Sequence, residues 1–448
     1  MYCTSLHAPA RQAWSPAAGT RRCQRGFTLK ELLIVVTGIA LLVAILIPSL
    51  SGARRAAYRA NCLSNLRQIG YAFNAYATAN RGQTMAYLRS PQGVWEAQLA
   101  GYYTDVQKGD LCPVANKTNN SVGSSTLAWG PRAPQGSPWL DGRSSSYTLN
   151  AWTYNYTGTG AAVTCRVGDL GGTPTFYSSI ISTENTGGNG NPTVNGNITA
   201  GGSISLGGSS LVNGGLHPNT PGLMLPDIRQ IYYMLVNSPQ AQTIAGGNNV
   251  NRIDFTNTNI LVVNGDISFH SGCQVIGAGT LVVSGNVNNM PRGGTLNIVT
   301  LGSVSGSSQG QITGSVYAAG PVTFTGQVLI NGYVVTESTF TTRGNGGTVT
   351  NGPAPWFDFW TNGRGFMRNV TIANQPDRIP IMGDGIWVDA SPTAFDPVPT
   401  NLDTGRFDSQ LGRYYIRRHG NAINMVFLDG HAETVALANL KNLQWQAQ

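Results

Sequence analysis

His419, Asp429, His431 and Glu433 are the side chains of this sequence best suited to hold a cation. His431 and Glu433 lie two apart, so on a strand both would project from one face, with His419 able to approach across a loop. The same residues have a plainer use. An Asp-Gly pair makes a tight turn in which the carboxylate accepts backbone N–H groups, and a His–Asp contact commonly pins a loop. A second group, Asp384, Asp389, Asp396 and Asp403, offers the oxygens that calcium prefers. Their spacing fits no fixed calcium loop, and solvated loop acids are the simpler reading. Metal binding through Asp384, Asp389, His419 or His431 is therefore an alternative to a loop-fixing role, and no cofactor is expected.

Catalysis has less to work with. Glycoside hydrolysis needs two carboxyl groups roughly 5–9.5 Å apart. Between residues 183 and 351 the acids are Glu184, Asp227, Asp254, Asp266 and Glu337, scattered and without a basic cluster beside them. The chain has no phosphate loop or HExxH helix, and no G-x-S-x-G nucleophile elbow between a strand and a helix is expected. An enzyme is not expected.

The elements that must position these residues begin with an apolar run. From Phe27 to Ile47 there are 21 residues, interrupted only by Lys30 and Glu31 among charged types. As a helix this run is about 31 Å long, enough to cross a hydrocarbon core of ~30 Å. A carboxylate that deep in lipid costs on the order of 2.5–3.5 kcal/mol, so Glu31 needs a partner. Pro48 is expected to kink or open the helix. Beyond it Leu63, Leu66, Ile69, Phe73 and Tyr76 recur at helical spacing until Asn80-Arg81-Gly82 ends the pattern.

Gly26-Phe27-Thr28-Leu29-Lys30-Glu31-Leu32-Leu33 resembles the prepilin-peptidase recognition motif of type IV pilins and type II secretion pseudopilins. The resemblance implies cleavage after Gly26, N-methylation of Phe27, and pairing of Glu31 with the N-terminal amine of a neighbouring subunit during fibre assembly. Lys30 departs from it, standing where the family usually has an apolar residue. Cys62 to Gly70 is similar to the segment of secretion-type pseudopilins. The stretch from His419 to Gly430 resembles the H-x9-D-G C-terminal signature of pseudopilin-like proteins of planctomycete-type bacteria, with His419, Asp429 and Gly430 in the matching places. Locally that stretch reads as a hairpin of strands Asn424–Phe427 and His431–Val435. Some secretion pseudopilins bind calcium in C-terminal loops, which is the family's version of the acid cluster. The bland alternatives are an ordinary membrane anchor or a signal peptide cut near Ala53.

Cys3 and Cys23 would leave with the leader, and Cys62, Cys112, Cys165 and Cys273 would sit outside the cytoplasm, where disulfides persist. Cys62–Cys112 is the preferred bridge, although sequence does not determine connectivity.

Between about 183 and 351 the chain becomes rich in Gly, Asn, Ser, Thr and Val. Five segments share an apolar–polar–Gly–polar–apolar form, starting at Val194, Val263, Val283, Ile312 and Ile330. The glycines Gly265, Gly285, Gly302, Gly314 and Gly332 recur at irregular intervals, the shortest between Gly302 and Gly314. Such a repeat suits a parallel β-solenoid, each coil burying its apolar side chains on the next; a stack of hairpins is the competitor. Residues 226–238 break the pattern as a short helix with Ile228, Ile231, Tyr232 and Leu235 on one side.

The net charge of +8 does not imply nucleic acid, because the leader alone carries Arg11, Arg21, Arg22 and Arg25, and no basic stripe with interleaved aromatics follows. The expected fold is α+β and pilin-like with an inserted solenoid. Its parts are a leader (1–26), a long helix (27–78, of which 27–47 is membrane or fibre core), a head (79–182 and 352–448) and the solenoid (183–351). The expected partners are prepilin peptidase, other pilin or pseudopilin subunits and the bacterial inner membrane, crossed once with the head in the periplasm or on a fibre. The second expectation is a membrane-tethered solenoid adhesin or carbohydrate-binding protein that does not polymerise.

Overall fold

The computed structural model describes residues 28–86, 93–103, 109–118, 122–130, 143–156, 158–307, 309–359, 363 and 365–446. The chain divides into two compact units between Ala56 and Ala57. Helix α1 (Leu29–Ala79) contributes to both, and its helical backbone continues through Pro48.

In the first unit every side chain from Leu29 to Ile47 is exposed. By length and composition this is a helix able to cross a membrane. A surface so apolar has no stable place in water.

In the second unit the rest of α1 is amphipathic. Leu66, Ile69 and Phe73 are fully buried, and Leu63 and Tyr76 pack at the edge of the same core. The helix stops where Arg81 and Gly82 take positive φ and the Gly82 N–H donates to the Ala77 carbonyl. Its partner is a five-stranded sheet in the order Asp389–Ala390, Tyr147–Asn150, Pro380–Asp384, Ala422–Phe427, Ala432–Ala436. All neighbours are antiparallel except the first pair. Gly70 allows the close approach, since a Cβ there would lie 2.6 Å from Val426 Cγ2. The short helix α2 (Trp95–Leu99) joins this core through Trp95 and Leu99.

From Val163 to Thr350 the chain is a parallel β-solenoid, not a stack of hairpins. Each coil carries up to three short strands, as in Val316–Ala318, Val322–Phe324 and Val328–Asn331. All ten apolar residues of the five repeat segments are fully buried in one core, among them Val194, Ile198, Ile330 and Val334. The commonest coil length is 18 residues, visible in the bonds Ser203 N–H to Asn185 Oδ1 and Gly215 N–H to Asn197 Oδ1. The short step from Gly302 to Gly314 arises because the two occupy different corners. Gly302 stacks over Gly285 and under Gly320, while Gly314 stacks under Gly332. The coils begin at Val163, ahead of the expected boundary at 183: the first coil carries Cys165 and Asp169 where the next two have Ser182 and Ala200, and Gly187 and Ser205, so its composition does not announce it.

The order of coils along the stack is permuted. On one face it runs Ala241–Ile244, Ile260–Val263, Ala278–Val283, Arg292–Thr300, Val316–Ala318, Val334–Thr336, Val163–Cys165, Ile180–Ser182, Ile198–Ala200, Leu216–His217. The chain thus enters in the middle, winds to one end, crosses to the other end and winds back until Val334 pairs with Val163. Helix α3 (Ile228–Val236) lies in the crossing, capped by Asp227, whose carboxylate accepts from the Gln230 N–H. Its apolar side, Ile228, Ile231, Tyr232, Met234 and Leu235, covers the outward side chains Ile260, Val262, Val282, Val299, Tyr317 and Val335. Bonds from Gln230 to the Ser391 carbonyl and from Gln410 to Asp227 tie this joint to the sheet-bearing body.

Candidate functional site

Arg418 and His419 precede strand Ala422–Phe427, and Asp384 ends strand Pro380–Asp384 beside it. The Arg418 guanidinium is completely buried. It donates to Asp384 Oδ1 at 3.3 Å, to the carbonyls of Ser124 (2.7 Å) and Gly385 (3.2 Å), and to that of Ser146. Asp384 Oδ2 accepts from the Asn424 N–H at 2.8 Å and lies 3.3 Å from His419 Nε2. Burial alone would raise the Asp384 carboxyl, but the His419 hydrogen bond and the Arg418 charge outweigh it and hold it below the usual carboxylate range.

Cys62 of α1 and Cys112 form a disulfide whose Cα atoms are 5.1 Å apart. His419 Nε2 sits 3.6 Å from Cys112 Sγ. The contacts reach back to α1 a second time, because Arg59 donates to the His419 carbonyl and Asn424 Nδ2 to the Arg59 carbonyl. Helix, loop and two central strands therefore converge on one buried polar cluster.

Neither a protein-family model nor a curated protein sequence matches the chain. What the cluster can do must be read from its own residues.

His419 and Asp429, grouped by the sequence pattern, stand beyond opposite ends of the extended strand Ala422–Phe427, too far apart to share an ion. Asp429 serves the turn: its Oδ1 accepts from the His431 N–H at 3.0 Å and lies 2.6 Å from His431 Nδ1. The His431 ring stacks on Phe427. Gly430, at φ +91°, closes the turn against Tyr71 of α1, and the Asn74 side chain donates to the Leu428 carbonyl. Glu433 is exposed. The metal set His419, Asp429, His431 and Glu433 is therefore not assembled; the residues fix a hairpin to the helix.

The acids Asp384, Asp389, Asp396 and Asp403 are likewise engaged separately. Asp389 faces Arg413 at 3.9 Å, Asp403 faces Arg417 at 3.3 Å, and Asp396 accepts backbone N–H groups from Thr393 and Leu411. Burial pushes the Asp396 carboxyl up to about 7. Among the described residues one group of three or more His, Cys, Asp or Glu has ligand atoms close enough for a metal: Cys62, Cys112, Asp384 and His419, all within 4.8 Å of one another.

Gly26 and Phe27, the expected processing positions, lie outside the described residues, as do Cys3 and Cys23. Glu31 is described. Its Oε2 accepts from the Thr28 N–H at 2.8 Å and the Thr28 hydroxyl at 2.9 Å, while the Glu31 N–H donates to Thr28 Oγ1 at 3.3 Å. Thr28-Leu29-Lys30-Glu31 is thus a reciprocal capping box at the start of α1, a use that the S/T-x-x-E spacing signals in sequence.

Proposed function

We propose that this chain is a structural subunit of the pilin or pseudopilin kind, cut after Gly26 by prepilin peptidase. A single helix holds it in the bacterial inner membrane with the β body on the periplasmic side. Through the same helix it assembles into a type IV pilus or a type II secretion pseudopilus. One observation carries the reading: Gly26-Phe27-Thr28-Leu29-Lys30-Glu31 stands at the head of a helix whose side chains are exposed and overwhelmingly apolar from Leu29 to Ile47. Lipid or the same helix of other copies would cover that surface. Both side-chain bonds of the capping box fall on Oε2, which leaves Oε1 of Glu31 to meet a freed amine from a neighbour. The test is the mass of the N-terminal peptide from a host with active prepilin peptidase. N-methylated Phe27 is expected, and retention of residues 1–26 overturns the reading.

A second reading has its own support. The capping box satisfies Glu31 within its own helix, as a plain anchor requires. The chain would then be a tethered solenoid that binds carbohydrate or another surface without polymerising. Glu31→Ala separates the two. In an assembling subunit the substitution abolishes fibres while insertion persists; a plain anchor loses only the Glu31 half of the capping box, ~0.3–1.5 kcal/mol, and keeps its distribution. Binding on a glycan array by the Glu31→Ala protein would favour the anchor.

A further inference from the structure

We infer that Cys62, Cys112, Asp384 and His419 form a buried tetrahedral site for a divalent thiophilic cation of the zinc class when the cysteines are reduced, and that the disulfide and the metal are alternative closures of the same joint. This stands independently of the reading above. The four residues come from α1, the loop at residue 112, one central strand and the segment before its neighbour, and their ligand atoms lie within 4.8 Å of one another. All four are buried. Tetrahedral zinc with bonds of about 2.0–2.3 Å has ligand–ligand edges of roughly 3.3–3.8 Å. His419 Nε2 already stands 3.3 Å from Asp384 Oδ2 and 3.6 Å from Cys112 Sγ. Reduction frees the two sulfurs to separate to an edge of that length.

The charges also balance. Two thiolates and the Asp384 carboxylate carry three negative charges, one more than the ion neutralises. The fully buried Arg418, bonded to the other oxygen of Asp384, supplies the remaining positive charge. The Asn424 N–H and Arg418 orient the carboxylate from behind, the outer support that ligating groups normally have. Among the described residues the buried His419 ring meets the Asp384 carboxylate and the Cys112 sulfur.

Binding to the dithiol, with the His419 ring proton moved from Nε2 to Nδ1, releases two protons to water as two S–metal bonds form. Oxidation by a disulfide-bearing partner breaks those bonds, makes the Cys62–Cys112 bond, and passes two electrons to the partner. The partner leaves as two thiols after taking up two protons, and the ion is released. A newly made, reduced chain would thus be closed by metal and an oxidised one by the disulfide.

The test titrates cobalt(II), a visible stand-in for zinc, into the full-length protein without oxygen, once reduced and once oxidised. The reduced protein is expected to bind one cobalt per chain with the intense visible bands of tetrahedral geometry and a thiolate charge-transfer band, both erased by zinc. The oxidised protein is expected to show neither, although Cys165 and Cys273 stay free in both forms. His419→Ala should bind roughly 100-fold more weakly or worse, while His431→Ala should match the unaltered chain. Circular dichroism follows each sample. If the reduced chain loses structure, cobalt should restore it. Equal cobalt uptake by the two redox forms, unaltered spectra in His419→Ala, or no uptake by the reduced chain would each sink the site.

Discussion

The solenoid and the helix-on-sheet body are built from opposite materials. In the solenoid core Val, Ile, Leu and Phe repeat at equivalent positions of successive coils, so each coil is held mainly by its two neighbours. The body has no repeat. Its sheet and helix share an apolar core, and beside it lies one cluster where Arg418, Asp384 and His419 are withdrawn from water and satisfied largely by one another and by backbone. Stacked repeats spread their stability over many equivalent small contributions. The body adds to its apolar core a few groups whose loss leaves a charge or carbonyl buried without a partner.

The sharpest test of that contrast is Arg418→Ala. It strands Asp384 and several carbonyls, and it should destabilise the body by ~3–5 kcal/mol, read as a lowered urea midpoint. A cost under about 1 kcal/mol would place the strength of the body elsewhere. Ile330→Ala, in the solenoid core, should cost ~2–4 kcal/mol. Here hydrogen exchange should speed up only in the adjoining coils, Gln311–Thr313 and Gly347–Thr350. Exchange that rises equally across the five-stranded sheet would erase the distinction between the regions.

The joint itself gives the third and smallest effect. Glu337 Oε1 accepts from the Ile228 N–H at the start of α3. Burial, with the nearby Asp227 charge, pushes its carboxyl up to about 7. A raised folded value means that the unfolded chain ionises first. Stability is therefore full below the ordinary carboxylate range, is lost as pH rises toward about 7, and stays lost above. Glu337→Gln keeps an acceptor and removes this loss. It should gain ~2 kcal/mol over the unaltered chain at about pH 8 and almost nothing at about pH 4. An equal gain at both would mean that ionisation is irrelevant there.

Much of the solenoid was legible because its rule is local. An inward apolar residue on each side of a Gly corner is visible in any short window, and all ten such residues are buried. So was α3, and so was the hairpin around Asp429 and Gly430. The first coil was not, since Arg166 and Val167 stand at the corner where a Ser-Gly pair was the cue. Nor was the permutation: Val163 and Val334 are partners in the sheet yet stand at the two ends of the solenoid sequence, and period alone says nothing about coil order. The buried cluster was half legible. His419 and Asp384 stood out as candidates, but the H-x9-D-G spacing drew attention to Asp429, which faces another way. Arg418 gave no signal, because nothing local marks an arginine that will be fully enclosed. Glu31 invited a search for a distant partner while Thr28, three positions earlier, already fitted a cap.

The mid-stack mounting of the solenoid has a consequence for how such a chain can change. The Leu216 tip lies three coils beyond Val163, whereas the Ala241 tip adjoins α3, so duplicating or deleting an 18-residue unit near Leu216 would alter reach without disturbing Asp227, Gln230 or Gln410. The one segment obliged to compensate is the return span that holds α3. Arm length is then a quantity free to drift between lineages, while the fulcrum stays as it is.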